Sequence, residues 1–160
     1  MDEPLAILLL PARLDDFARA AYARDLLAIP RVLALEPSRI SAPRFLRESL
    51  AVRQARRLRF PGNPRVLVLY APRQYPLGRA LLSRYEGAEL WYVDPGPADE
   101  ADPGGELAEL DTLARARAAE IFVLGDGAPA QVNEPLRRAM VELQIISSRP
   151  YVPGARMSGR

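Results

Sequence analysis

Short apolar runs alternate along this chain with segments of helical periodicity. The runs that predict strands are Leu5–Leu10, Val32–Leu35, Val66–Tyr70, Glu89–Val93, Ile121–Leu124 and Ile145–Ser147. A short continuous apolar run is typical of a strand buried on both faces of a parallel sheet. Between the runs, apolar positions recur at helical spacing in Leu14–Ile29, Pro43–Arg59, Leu77–Tyr85, Leu107–Ala119 and Pro129–Leu143. Prolines and glycines separate many of these segments, as expected at element boundaries.

Six strands that alternate with five helices predict an α/β fold. We expect a single Rossmann-like domain, with a mostly parallel sheet of about six strands, right-handed crossovers and helices on both faces. A chain of 160 residues is long enough to bury a core of this kind. The domain is expected over residues 1–148, and residues 149–160 have no periodicity and predict a loosely ordered C-terminal tail.

The predicted sheet indicates where a ligand would bind. In open parallel sheets, ligands sit outside the carboxyl ends of the strands, so the residues that follow each strand are the candidates. The ligand-facing candidates are Arg13, Glu36, Arg39, Arg73, Gln74, Tyr75, Asp94, Gly125 and Asp126. The densest group of hydrogen-bonding side chains among them is Arg73-Gln74-Tyr75, which fits a binding segment and an ordinary loop equally well.

Two of these turns have both a functional and a structural interpretation. Gly125-Asp126-Gly127 precedes a helix whose backbone N–H groups could hold a phosphate, or it forms a plain tight turn. Asp94 could orient a sugar hydroxyl or act as a base, or it simply starts the turn Asp94-Pro95-Gly96. The first strand is followed by Pro11-Ala12-Arg13 without a glycine, which argues against an NAD or FAD site. We therefore expect no cofactor.

The composition narrows the chemistry further. The chain has no histidine, no cysteine and no lysine, so all 22 basic residues are arginines. Disulfides, thiolate catalysis, Schiff bases and a P-loop lysine are excluded, and the usual transition-metal ligands are missing, so we expect no metal site. Catalysis would have to use Asp, Glu, Tyr, Ser or Arg, and no catalytic residue is assigned. The chain shows neither a signal peptide nor an apolar run that could span a membrane, which predicts a cytoplasmic protein.

Charge is distributed unevenly along the chain. Residues 37–85 contain 11 arginines and one acid, a net charge of +10, whereas residues 86–126 contain 11 acids and two arginines, a net charge of −9. A basic half of this size can attract phosphates, anionic lipid or nucleic acid. It can equally pair with the acidic half, within the fold or in a dimer.

The segment Arg44–Arg59 concentrates the basic charge. Its arginines accompany apolar residues at positions 45, 46, 50 and 58. Such a basic amphipathic helix can make weak contact with an anionic membrane surface, or it can be an ordinary surface helix whose leucine stripe packs on the sheet. Nucleic acid is not favoured as a partner, because stacking aromatic residues do not interleave with these arginines.

Three stretches resemble the N-terminal Rossmann-like domain of GT-B glycosyltransferases, of the glycogen-synthase-like group. They are RDLLAIPRVLALEPSR, PRVLVLYAPRQYPLGRALLSRY, and AELWYVDPG followed by ELAELDTLARARAAEIFVLGDGAPA. The resemblance implies that Glu36, Tyr75 and Asp94 face the site. The family's glycine-rich turn after the first strand and its catalytic histidine have no counterpart here, and the chain has the length of one domain where that family has two.

Two functions follow as expectations. The first is a glycosyltransferase-like N-terminal, acceptor-side domain, which is inactive alone or is completed by a partner chain. A homo-oligomer is also possible, but a symmetric dimer would bring two acceptor-side domains together and would not easily complete the site. Its ligand would be a sugar nucleotide or another anion. The alternative is a non-catalytic module that binds a nucleotide, another anion or a protein. Whether the chain is an enzyme stays open at this point, since one fold hosts many functions.

Overall fold

The computed structural model describes residues 4–10, 26–27, 29–35, 37, 43–60, 62–94, 104–123 and 129–148. For residues 129–133, 147 and 148 it describes the backbone alone. The tail predicted for residues 149–160 and most of the predicted helix Leu14–Ile29 lie outside the described residues.

Within the described residues, five strands form one sheet in which all neighbours are parallel. The strands are β1 (Ala6–Leu9), β2 (Val32–Leu35), β3 (Val66–Leu69), β4 (Glu89–Asp94) and β5 (Glu120–Val123). Their spatial order is β2-β1-β3-β4-β5. The predicted α/β fold with a parallel sheet is therefore confirmed. The order is flavodoxin-like, since the chain leaves β1 towards β2 on one side and leaves β3 towards β4 on the other.

Four helices flank the described part of the sheet. They are α1 (Arg44–Arg57), α2 (Tyr75–Arg84), α3 (Glu106–Arg117) and α4 (Pro129–Ser148), and a short 3-10 turn, Pro72–Gln74, precedes α2. Proline stands at the first helical positions of α2 and α4, where its missing N–H leaves no hydrogen bond unmade. Basic residues end α1, α2 and α3, which complements the negative end of each helix dipole.

The predicted sixth strand, Ile145–Ser147, is wrong. These residues form the end of α4, which runs without a break to Ser148. No glycine or proline separates Leu143 from Ile145, so nothing in the sequence stops the helix before Arg149-Pro150. A short apolar run fits a strand and a helix equally well, and here the hydrogen bonds of an established helix continue through it.

The core is divided by the sheet into two apolar layers. Strand residues alternate between them, so that Leu67 and Leu69 belong to one layer and Val66 and Val68 to the other. The first layer lies under α1, α2 and α3, and the second lies under α4, which contributes Leu136 and Met140. The interior strands β1 and β3 are buried along their whole length, and β4 is buried except at its first and last residues. The expected helices on both faces are therefore observed.

Gly78 sets how closely α2 approaches the sheet. A Cβ atom at this position would lie 2.9 Å from Cδ2 of Leu69 in β3, closer than side-chain atoms pack. Glycine normally weakens a helix interior by about 1 kcal/mol relative to alanine. At this position it lets α2 pack directly against the buried side chain of Leu69.

The leucine stripe expected on α1 is only partly buried. The side chains that α1 buries completely are Ala51 and Ala55, whereas Leu50 and Leu58 are half-buried. Small side chains allow the helix to lie close to α2, and Arg84 of α2 donates hydrogen bonds to the carbonyl oxygens of Ala55 and Leu58. The carbonyl of Ala55 also accepts a hydrogen bond from the N–H of Leu58, at 3.2 Å, so the bonds from Arg84 add to the cap of α1 and join its end to α2.

No helix in the described part of the chain is both long enough and apolar enough to cross a membrane.

Candidate ligand site at the carboxyl edge of the sheet

The strand order places a topological switch point between β1 and β3. In open parallel sheets, the crevice between the carboxyl ends of two such strands is where ligands bind. Leu9 and Leu69 are partners in the parallel register, so Leu10 and Tyr70 leave the sheet side by side. The residues that border the described part of this crevice are therefore Leu10 and the segment from Tyr70 to Gln74.

Gln74 joins the two strands at the switch point. Its Oε1 accepts hydrogen bonds from the backbone N–H groups of Tyr70, at 2.8 Å, and Ala71, at 3.2 Å. Its Nε2 donates to the carbonyl oxygen of Leu10, at 2.9 Å. The Gln74 amide thus forms hydrogen bonds with three backbone groups just beyond the ends of β1 and β3. These bonds fix the distance between the two strand ends. Gln74 lies at the predicted site, and the bonds it makes are structural.

The 3-10 turn explains why Gln74 reaches these groups. Pro72 has a fixed φ, and the N–H of Gln74 donates to the carbonyl of Ala71 at 3.1 Å. The turn folds residue 74 back over the end of β3. It also holds Arg73, which is half-buried, between the strand and the first turn of α2.

Tyr75 starts α2 and is only 7% exposed. Its ring belongs to the apolar layer under α1, α2 and α3, which also contains Leu69 and Leu77. Although Tyr75 follows a strand in sequence, the 3-10 turn brings it over the core. Tyr75 therefore packs in this layer, and its predicted ligand-facing role stays a prediction.

Asp94 lies at the carboxyl end of β4, where the sequence predicts it. Its carboxylate forms an ion pair with Arg115 of α3, and the Asp94 side chain is 14% exposed. Nε of Arg115 also donates to Asp111, at 2.9 Å, and Asp111 accepts the hydroxyl of Tyr92, at 2.7 Å. The guanidinium lies over the Tyr92 ring, 5.9 Å from its centroid. This four-residue network fastens α3 to β4.

The pKa values of Tyr92 and Arg115 are both raised within this network. Burial, together with the hydrogen bond to Asp111, raises the pKa of Tyr92 well above its usual value. Hydrogen bonds to Asp111 and Asp94 raise the pKa of Arg115 further above its already high value. Tyr92 therefore stays a neutral hydrogen-bond donor and Arg115 a cation throughout the physiological range.

Sequence reasoning missed Asp111 and Arg115. The i, i+4 spacing of an acid and an arginine on one helix is a signal for a pair between them. It does not show that the pair lies against Tyr92 and Asp94, because that depends on how α3 rotates over the sheet.

The basic and acidic halves meet between α1 and α3. Arg44 pairs with Glu109, and Arg47 pairs with Glu106. The Arg47 and Glu106 side chains are 28% and 20% exposed, so this contact is shielded more than an ordinary surface pair. Part of the charge asymmetry is thus paired within the fold, which was one of the alternatives that the sequence left open.

Five of the predicted ligand-facing residues, namely Arg13, Glu36, Arg39, Gly125 and Asp126, lie outside the described residues. Among the residues that are described, no three acidic side chains are grouped so that they could hold a metal ion. Comparison of the chain with protein-family models, with curated proteins and with solved structures finds no match.

Proposed function

We propose that the chain is a ligand-binding domain that holds an anionic small molecule, a nucleotide or a sugar nucleotide, at the carboxyl edge of the sheet. The observation that carries the proposal is the switch point between β1 and β3. This is the place in a parallel sheet where two crossovers diverge and leave room for a ligand.

Two features near the switch point favour an anion over a neutral ligand. Arg73 lies in the 3-10 turn that follows β3, and a guanidinium can donate two parallel hydrogen bonds to a phosphate. The first turn of α2 follows at once and contains no acid, so the partial positive charge of its N-terminus is not offset locally. The Gln74 bonds keep both features fixed relative to β1.

Thermal unfolding with a panel of ligands tests the proposal. The panel contains inorganic phosphate, nucleoside monophosphates and diphosphates, and sugar nucleotides. A ligand present at about 100 times its Kd stabilises the native state by about 2.7 kcal/mol. For a domain of this size, that corresponds to a rise in Tm of roughly 5–10 °C.

The variant Arg73→Gln should lose most of this ligand-dependent rise, measured against the Tm of the same variant without ligand. Arg117→Gln is the matched control, because Arg117 is an exposed arginine in the last turn of α3. A panel in which no anion raises the Tm, or an Arg73→Gln protein that responds as the wild type does, would refute the proposal.

A second candidate is that this binding domain is the acceptor-side half of a glycosyltransferase-like enzyme. It is favoured by the Rossmann-like α/β fold, which the resemblance to GT-B N-terminal domains implies and which is observed. A partner chain would then complete the cleft, because a second copy of this chain would bring together two acceptor-side domains. The test is to search for a partner that carries a sugar-nucleotide domain and to measure release of nucleoside diphosphate from the mixture and from each component alone.

A further inference from the structure

The outward face of α1 combines exposed apolar side chains with arginines. Phe45 is 80% exposed, Leu46 43% and Val52 39%. Leu46 lies on the side of the helix opposite Ala51 and Ala55, which face the core, and Phe45 and Val52 lie about a quarter turn away from those alanines. Their exposure shows that they are not buried against the sheet, although the apolar residues of a crossover helix normally are.

The arginines on the same face differ from those at its sides. Arg53, Arg56 and Arg57 are exposed, and within the described residues no ion pair joins them to an acid. By contrast, Arg44 and Arg47 are paired with α3. The single acid of α1, Glu48, is paired with Arg79 of α2. The charge pairing within the fold thus uses the sides of α1 and leaves its outer face uniformly positive.

Spacing brings the two kinds of residue together. Phe45, Val52 and Arg56 follow one another at intervals of seven and four residues, so they form one line along the helix. Leu46, Arg53 and Arg57, again at intervals of seven and four residues, form the neighbouring line. Ion pairs to α3 and the hydrogen bonds from Arg84 hold the helix in place, so this face is preformed.

We propose that the outer face of α1 (Phe45, Leu46, Val52, Arg53, Arg56 and Arg57) docks this domain on an anionic lipid surface. An amphipathic helix of this kind lies in the interface plane, with its apolar side chains among the acyl chains and its cations near the lipid phosphates. Arginine suits this position because its long stem is apolar while its head reaches the phosphates. A nucleic acid would use stacking aromatic residues, and this face has one, Phe45.

Cosedimentation with vesicles tests the proposal, using the full chain with pure phosphatidylglycerol and with pure phosphatidylcholine. We expect binding to phosphatidylglycerol that weakens as salt rises, and little binding to phosphatidylcholine. The triple variant Arg53→Gln, Arg56→Gln, Arg57→Gln should lower the partition coefficient roughly 100-fold, since each basic residue near an anionic surface contributes about a fivefold factor. The double variant Phe45→Ser, Val52→Ser should lower it roughly tenfold.

Matched controls separate this face from general charge and hydrophobicity. The triple variant Arg65→Gln, Arg117→Gln, Arg138→Gln removes the same charge from exposed positions elsewhere. The double variant Ile145→Ser, Ile146→Ser removes two exposed apolar side chains from α4, on the other face of the sheet. Both controls should bind within about twofold of the wild type, because attraction to the surface falls off within a Debye length.

Several results would overturn the proposal. They are equal binding to both lipids, an equal loss of binding in either control, or no effect of the apolar substitutions. Tighter binding to single-stranded RNA or to polyglutamate than to phosphatidylglycerol vesicles would assign the face to a nucleic acid or to an acidic protein instead. Far-UV circular dichroism of every variant shows that each loss occurs in a folded chain.

Discussion

Gln74 is the residue at the switch point whose removal has the most predictable consequence. Methionine has a similar length and shape but offers neither the amide oxygen nor the amide nitrogen, so Gln74→Met removes three hydrogen bonds. The groups left behind are the N–H of Tyr70, the N–H of Ala71 and the carbonyl of Leu10. Tyr70 and Leu10 are each 2% exposed, so water has little access to replace the lost partners.

The expected cost follows from these three bonds. Each contributes about 1 kcal/mol net, and a buried group left without a partner costs more than an exposed one. We expect Gln74→Met to lower the free energy of unfolding by about 3 kcal/mol. In a domain of this size, the Tm should fall by roughly 6–12 °C.

Urea denaturation followed by fluorescence of Trp91 measures this change. Trp91 is the single tryptophan of the chain and is 4% exposed, so unfolding transfers it from the core to water. Ser83→Ala is the control, because it removes an exposed hydrogen bond between a side chain and the backbone, and it should cost less than about 0.5 kcal/mol. The reasoning fails if Gln74→Met is as stable as Ser83→Ala.

A second substitution at Gln74 tests the hydrogen bond that its Nε2 donates to the carbonyl of Leu10. Gln74→Glu keeps an oxygen for the N–H groups of Tyr70 and Ala71 but turns a second oxygen towards the carbonyl of Leu10. The protonated carboxyl can donate to that carbonyl, whereas the carboxylate cannot, so the folded state should raise the pKa of this glutamate above its value in the unfolded chain. The variant's stability relative to the wild type should therefore recover as pH falls, and a pH-independent difference would contradict this account.

Three further predictions concern the β4–α3 network and activity. Tyr92 has a raised pKa in the folded state, so its contribution to stability is complete below the unfolded pKa of about 10 and is lost as pH rises above that value. In urea titrations above that pH, the Tyr92→Phe protein should therefore lose stability less steeply than the wild type. Parallel stability curves for the two proteins would contradict this. Arg115→Gln should lower the free energy of unfolding by about 1–2 kcal/mol, because it leaves the partly buried carboxylates of Asp94 and Asp111 without their cation. The loss stays moderate because the Arg115 side chain is 38% exposed and solvent screens the pair. The control, Arg117→Gln, should change the urea midpoint little. The isolated chain should release no nucleoside diphosphate from sugar nucleotides. Holding the donor against the acceptor can lower the activation barrier of glycosyl transfer by roughly 7–11 kcal/mol, and this positioning needs a second domain. Turnover that scales with protein concentration and disappears in Asp94→Ala would disprove this prediction.

The sequence by itself determined the class of the fold. Buried parallel strands need apolar residues on both faces, so β1 and β3 appear as uninterrupted runs. Prolines and glycines mark the ends of several helices through backbone restrictions that act locally. For the same reason the sequence placed Arg73, Gln74 and Asp94 after strands. What it left ambiguous was the run Ile145–Ser147, because a short apolar stretch does not distinguish a strand from the end of a helix.

The tertiary structure alone decided what those residues touch. The strand order, and with it the switch point, depends on which side of β1 each crossover falls, and the alternation of elements does not encode this. The rotation of each helix about its axis placed Arg115 against Asp94, and buried Ala51 and Ala55 of α1 while it left Leu46 exposed. The 3-10 turn carried Tyr75 into the core and Gln74 across to β1. These are contacts between residues far apart in the chain, whereas periodicity and turn signals are local.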